Sequence, residues 1–375
     1  MMAETEKKEV VLDVPKYIES LVPYPPGKPL EELEREYGIS NAIKLASNEN
    51  PFGPSPKALE AIQKWLPKLH RYPDGSGYYL KNKLADLYSI APYNLVLGNG
   101  SNEIIDLLVR VLVRPGKEVI TSHPSFLVYQ KMVQASGGNN KVIELKGFSH
   151  DLSAIASAVT DQTCLIFLDN PNNPTGSVLS KSDFDAFLEA LPHHLLVVLD
   201  EAYMEFVQDV DTPKAVEYLG KDGRIVGLRT FSKAYGIAGL RVGYGIMQKQ
   251  VADLLERVRQ PFNVNILAQA AAEASIEDSE HLTKTIENNE QGKAFLTKAL
   301  NDIGFKVYPS HTNFILIDTG MDAQHLCKAL LSKGVIIRNM GSYGLKNFVR
   351  ITIGTPEENE RCIEAIKEVL SQQEV

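Results

Sequence analysis

Two charged residues stand where charge is hard to keep. Asp200 directly follows the apolar run Leu195–Leu199, and Lys233 sits in Thr230–Leu240, a stretch with no other charge. A carboxylate at the edge of a low-dielectric core needs a cation or hydrogen-bond donors. A lysine among apolar neighbours can lose its proton and act as nucleophile or base. Read singly, Asp200 is a helix cap or half of a structural ion pair, and Lys233 is a surface lysine. Asn173, Tyr203, Ser232 and Arg241 lie close behind similar apolar runs. Together these residues offer an amine to condense with a carbonyl, an acid to keep a pyridine nitrogen protonated, and donors for a phosphate and a phenolic oxygen. That is the set pyridoxal phosphate requires of a protein.

The elements that must position these side chains are legible around them. Glu118–Thr121, Lys141–Leu145, Thr163–Leu168, Leu195–Leu199 and Arg224–Leu228 are short and mostly apolar. Alternating with helical patterns, they predict an α/β fold whose large domain has a mostly parallel sheet covered by helices on both faces. In such sheets, ligands gather at the carboxyl ends of the strands. Asn94–Leu97 is a further strand, ending in Gly98-Asn99-Gly100. Beyond it Ile104, Ile105, Leu107, Leu108, Val111 and Leu112 share one helix face. Ser101 is the expected N-cap, and Pro115-Gly116 the stop.

The first 30 residues hold Pro15, Pro23, Pro25, Pro26 and Pro29, which predicts an extended arm. From about Ile266 to Leu300 a helical stretch runs toward Gly304. Asn313–Ile317, Val335–Arg338 and Phe348–Ile353 alternate like strands of a half-exposed sheet in a small α/β domain. The expected division is an arm at 1–40 that joins the small domain, a large cofactor domain at 41–262, and a small domain at 263–375.

With these segments in view, the chain resembles the fold-type I pyridoxal-phosphate aminotransferases, and within them is similar to the histidinol-phosphate aminotransferase family. The resemblance rests on Pro23-Tyr24-Pro25-Pro26-Gly27-Lys28, Leu45–Pro51, Arg71-Tyr72-Pro73-Asp74, Gly98-Asn99-Gly100-Ser101, Asn170–Gly176, Asp200-Glu201-Ala202-Tyr203, Ser232-Lys233, Gly239-Leu240-Arg241 and Arg350–Gly354. It implies that Lys233 condenses with the cofactor and shuttles the proton, and that Asp200 pairs with the pyridinium nitrogen. It further implies that Asn173 and Tyr203 hydrogen-bond the phenolic oxygen, and that Ser232 and Arg241 bind the phosphate. Gly100, Ser101 and Asn102 would offer backbone N–H groups to the same phosphate at a helix N-terminus. Many members of the family carry an acid where this chain has Asn102. Phe126 would stack on the ring, and Tyr72 would reach the phosphate bound by a neighbouring subunit, which implies a homodimer with shared active sites.

The resemblance places substrate anions on Arg350 and Arg338, with Tyr24 and Asn48 at the entrance. Within Phe348–Ile353, Val349, Ile351 and Ile353 point one way and Phe348, Arg350 and Thr352 the other. The implied reaction passes the amino group of L-histidinol phosphate to 2-oxoglutarate, giving imidazole acetol phosphate and glutamate. An aromatic amino-acid donor and decarboxylation of a phosphorylated amino acid are the alternatives within the family. A cofactor-binding regulator without turnover is opposed by the intact lysine and its supporting set.

Composition bounds the rest. The 375 residues include 39 Lys and Arg against 47 Asp and Glu, a net charge of −8. This balance argues against a nucleic-acid partner. The charged Met1–Val10 lacks a secretory pattern. No run approaches the roughly 18 apolar residues that span a bilayer. Cys164, Cys327 and Cys362 form no CxxC pair, and no HExxH or Cys/His cluster suggests a metal. A cytoplasmic enzyme with small-molecule substrates and no membrane partner is expected.

Overall fold

The computed structural model describes residues 12–23, 27–208 and 210–372. Their strands are β1 (Ile43–Leu45), β2 (Leu95–Gly98), β3 (Glu118–His123), β4 (Asn139–Glu144), β5 (Thr163–Asp169), β6 (Leu196–Asp200), β7 (Ile225–Thr230), β8 (Gly243–Ile246), β9 (Lys306–Val307), β10 (Phe314–Asp318), β11 (Val335–Asn339) and β12 (Phe348–Thr352). Seven of them form one sheet in the order β2-β8-β7-β6-β5-β3-β4. The pairs β3/β4, β3/β5, β5/β6 and β6/β7 are parallel, whereas β8 runs antiparallel to both β7 and β2.

The continuous apolar runs follow from burial on both faces. Leu165, Ile166, Phe167 and Leu168 are fully buried, as are Val197, Val198 and Leu199. Each such side chain contributes roughly 1.5–3 kcal/mol through removal from water. Polar residues therefore collect where the strands end. The reversal of β8 matters for the site, because the residues that precede it, Arg241 among them, lie at the edge where β2, β5, β6 and β7 finish.

Five strands form a second sheet in the order β1-β11-β12-β10-β9. Its first strand comes from far back in the chain, Ile43–Leu45 pairing in parallel with Val335–Ile337. One face packs under Leu296, Leu300, Ile363 and Ile366. Sequence alternation predicted a half-exposed sheet, yet Phe314, Ile315, Leu316 and Ile317 are all at most 1% exposed. The second face is covered too, because Phe314 packs with Tyr203 and Phe206 of the larger body.

Several local expectations are corrected. The proline-rich start is not extended throughout: Lys16–Glu19 and Leu30–Tyr37 are helical and open behind Pro15 and Pro29. Proline is harmless there, since the first N–H groups of a helix have no intrahelical acceptor. The arm also divides its contacts. Lys16–Glu19 lies on the helix Val128–Ala135 of the larger body, where Gln134 Nε2 donates to the Tyr17 carbonyl at 3.1 Å. Leu33 packs with Ile336 of the small sheet.

Gly100, at φ 79°, is the N-cap of Ser101–Leu112, so Ser101 is the first helical residue rather than the cap. The helical stretch consists of two helices, Ile266–Ile276 and Ser279–Asp302, with the Asp278 carboxylate accepting from the His281 N–H at the restart. Ala268, Ala271 and Ala272 of the first pack with Leu80, Leu84 and Tyr235 of the larger body. No helix among the described residues is long and apolar enough to cross a membrane.

Candidate active site

One cavity of about 250 Å³ opens where the seven-stranded sheet faces the small one. Asn48, Ser101, Asn102, Phe126, Asn173, Asp200, Tyr203, Ser232, Lys233, Arg241, Arg338 and Arg350 all line it. β2, β3, β5, β6 and β7 deliver most of these residues from the turns at their carboxyl ends. The arginine pair comes from β11 and β12.

At the floor, Asp200 Oδ2 accepts from Tyr129 Oη at 2.7 Å and Oδ1 from the Ala202 N–H at 3.2 Å. Tyr129 is fixed in turn, stacked on Phe167 at 4.7 Å and edge-on to Phe126 at 5.5 Å. Burial pushes the Asp200 carboxyl up to about 7, against the hydrogen bond from Tyr129 and with help from the charge of Asp169. A protonated ring nitrogen at this place would relieve that desolvation by pairing with the carboxylate.

Lys233 Nζ donates to the Ser47 carbonyl at 3.0 Å and lies 5.8 Å from the centre of the Tyr203 ring. Burial, reinforced by the Arg350 guanidinium, lowers its ammonium to about 8. The neutral amine needed for attack on a carbonyl is thus within reach near neutral pH. Asn48 Nδ2 donates to Tyr203 Oη at 2.8 Å. Burial raises the Tyr203 phenol, so it serves as a neutral hydrogen-bonding group.

An anion cradle forms at the start of Ser101–Leu112. Arg241 Nη1 reaches Ser232 Oγ at 3.4 Å and the Ala238 carbonyl at 3.1 Å. A Cβ placed on Gly100 would come within 2.4 Å of Arg241 Nη2, so the guanidinium lies directly against the turn. Backbone N–H groups at a helix N-terminus, a hydroxyl and an arginine converge, as a phosphate monoester requires.

Arg350 is 6% exposed. Its Nη1 donates to Asn173 Oδ1 and its Nη2 to the Ala46 carbonyl at 2.9 Å, while its guanidinium lies 5.0 Å from the Phe314 ring centre. Its Nε is buried with no hydrogen-bond partner. As expected, Val349, Ile351 and Ile353 point into the small-domain core. Arg350 and Thr352 face the other way.

The entrance residue Asn48 is more enclosed than sequence suggested. Asn48 lines the cavity but is 1% exposed, with φ 57°. It ties Tyr203 to the small domain, because its backbone N–H donates to Thr352 Oγ1 at 2.9 Å and its carbonyl accepts from Asn313 Nδ2 at 3.0 Å. Tyr72 is not brought to the cavity; it is 80% exposed and stacks on Phe262 at 4.8 Å. Tyr24 lies outside the described residues. Sequence reasoning missed Tyr129 and Asp169. The spacing of Phe126 and Tyr129, one helical turn apart, is the signal that could have found the former. Among the described residues, no cluster of His, Cys, Asp and Glu could hold a metal ion.

The donor set therefore fits pyridoxal phosphate. A buried acid stands at one end and an anion cradle at another, with a lysine, an amide and a phenol between.

Comparison with known proteins points the same way. The profile of the family "Aminotransferase class I and II" matches residues 40–366. The chain is 49% identical over 371 residues to histidinol-phosphate aminotransferase from Desulfotalea psychrophila, covering 98% of each. It is 46% identical over 355 residues to histidinol-phosphate aminotransferase 1 of Nitrosococcus oceani, covering 95% of this chain and 96% of that one. Among solved structures it is similar to histidinol-phosphate aminotransferase from Sinorhizobium meliloti in complex with pyridoxal-5'-phosphate. That likeness has a TM-score of 0.88 and 30% identity, and it covers 97% of this chain and 100% of that one.

Proposed function

The chain belongs to the class I and II aminotransferase family, and from that premise we propose that it transfers the amino group of L-histidinol phosphate to 2-oxoglutarate, with pyridoxal phosphate as cofactor. The observation that carries this reading is the buried Arg350 guanidinium, beside Lys233 and above Asp200 in one cavity. Among the described residues no carboxylate pairs with it. A buried cation in that position calls for an anion from the substrate.

When bound, pyridoxal phosphate supplies an aldehyde for the amino group and a ring that accepts the electron pair released at the donor's α-carbon. The chain's own residues do the rest. Ser232, Arg241 and the Gly100–Asn102 turn would hold the phosphate, and Phe126 would pack against the ring. Asp200 would pair with the ring nitrogen, and Asn173 and Tyr203 would hydrogen-bond the phenolic oxygen. Lys233 Nζ, lowered toward neutrality, takes the proton from one carbon and returns it to another. Arg350 and Arg338 hold the anionic group of each substrate in turn, the phosphate of the donor or a carboxylate of the oxo acid.

We assign Tyr72 to a neighbouring copy's cofactor phosphate, in a homodimer. Supporting this, Tyr72, Phe262, Tyr78, Tyr79 and Leu69 are large apolar side chains left exposed on one region of the chain. An exposed patch of that kind marks an interaction surface. Three free cysteines suit a reducing cytoplasm.

The test follows both half-reactions by the visible absorbance of the cofactor. The reading expects amine transfer from histidinol phosphate with a kcat/KM above that for phenylalanine or tyrosine. A preference for the aromatic donors, or release of carbon dioxide without an oxo acid, would replace it with one of the two alternatives.

A further inference from the structure

Asp169 ends β5 and stands in register beside Asp200 at the end of β6. It is 3% exposed. Its Oδ1 accepts from Ser125 Oγ at 2.7 Å and Asn172 Nδ2 at 3.1 Å. Its Oδ2 accepts from two backbone N–H groups, those of Phe126 at 3.3 Å and Asn173 at 2.9 Å. His150 braces the same residue, with Nε2 3.0 Å from the Asp169 carbonyl and 3.3 Å from Oδ1. Both atoms can only accept, so the proton resides on Nε2. His150 Nδ1 lies 2.7 Å from Ser122 Oγ.

This network ties together the turns that follow the neighbouring strands β3 and β5. Phe126 follows β3 and Asn173 lies in the turn after β5, yet their backbones meet at one carboxylate oxygen. Both side chains line the cavity, and Asn173 Oδ1 also accepts from Arg350. Resting on the cofactor reading above, we propose that Asp169 is a positioning residue for the transamination: Oδ2 fixes the backbones of Phe126 and Asn173 together, and so sets the ring plane against the partner of the phenolic oxygen. Asp169 itself lines the cavity, and in this role it acts through those two backbones and not through contact with substrate or cofactor. A displaced Asn173 would carry Arg350 with it, so the clamp also joins cofactor orientation to anion binding.

Asp169→Asn in the full-length protein tests it, because an amide keeps the shape but offers one acceptor oxygen where the carboxylate offers two. Reconstituted with pyridoxal phosphate, the variant is expected to bind the cofactor at least about tenfold more weakly. At saturating cofactor its visible circular dichroism should be reduced, with kcat falling more than KM rises. Ser125→Ala removes one side-chain donor to the carboxylate and should shift the affinity the same way by about threefold. A folded Asp169→Asn with wild-type affinity and wild-type dichroism overturns the proposal. Should that variant fail to fold, Ser125→Ala decides by the same two readouts, and wild-type values again overturn it. A wild-type protein that develops no visible band with pyridoxal phosphate refutes the cofactor reading itself, a result distinct from either outcome.

Discussion

Arg338 on β11 and Arg350 on β12 are directly opposed in the antiparallel register, so their side chains leave the same face of the small sheet. Like charges set across a pair of strands destabilise it. Both line the cavity, and an anion lying between them would convert the repulsion into binding. The net charge of −8 conceals this local positive site.

Arg350→Ala should therefore lower kcat/KM for both substrates by roughly 10²–10³-fold, since a buried charged contact is lost at the anion's binding point. Arg338→Ala should weaken the phosphorylated donor more than the oxo acid. Steady-state kinetics with each substrate varied separately checks both. Equal and small losses would remove the pair from substrate binding.

Lys233→Ala should abolish the absorbance of the lysine-linked cofactor and reduce turnover by at least about 10³-fold, because among the described residues no other lysine lines the cavity. Asp200, Ser232 and Arg241 remain in the variant, so non-covalent cofactor binding should persist by equilibrium dialysis. Retained turnover would refute the assignment of the lysine.

The two titrating groups at the floor give the cofactor-free protein a defined pH response. The Asp200 carboxyl moves from 3.8 up to about 7 on folding, chiefly through burial. Between those values the folded chain keeps a proton that the unfolded chain has released, so stability falls as pH rises and the loss is complete above about 7. Lys233 moves the other way, from 10.5 to about 8. Over that span the unfolded chain holds the extra proton, so stability recovers as pH rises. Asp200→Asn removes the first slope while still accepting from Tyr129. Melting curves from pH 4 to 8 should show the cofactor-free variant gaining on wild type as pH rises, by a few kcal/mol on the order of the shift. Parallel curves would contradict the burial of an ionisable carboxyl.

Gly100→Ala separates backbone strain from ligand loss. Gly100 and Gly116 both have positive φ, 79° and 90°, so alanine at either is strained by roughly 1–3 kcal/mol. A Cβ at Gly116 meets nothing within 4 Å, whereas at Gly100 it displaces the end of Arg241. Both variants are expected to melt below wild type, with weakened cofactor binding only in Gly100→Ala. Unchanged binding would detach Arg241 from the phosphate.

The strand ends were legible because a buried parallel strand announces itself as an apolar run, and the first polar residue beyond it must lie at the sheet edge. Asp200 and Lys233 could be found that way. Asn48 could not: its role depends on Thr352, 304 residues away, and on Tyr203. Tyr129 is a core residue by burial, but its hydroxyl reaches Asp200 only because the helix Val128–Ala135, which follows β3, carries it to the end of β6. The N-terminal helices were hidden by prolines whose effect depends on whether they open or interrupt a helix. Sequence pattern thus locates the chemistry at strand ends, and long-range pairing decides which side chains support it.

Tyr72, 80% exposed and stacked on Phe262, makes the last prediction, because a side chain that acts in a neighbour's site can be separated from its own lysine. Lys233→Ala alone leaves every site without its amine. Tyr72→Ala alone should weaken every site's hold on the phosphate. In a hybrid dimer of the two, one site combines both defects and the other combines an intact lysine with an intact tyrosine from the partner. Equal mixing by co-expression gives hybrids as half of the dimers, each with one whole site, so activity should recover to about one quarter of wild type. At limiting cofactor this exceeds the average of the two parent variants. If Tyr72 acts within its own chain, no hybrid site is whole, and the mixture shows only that average.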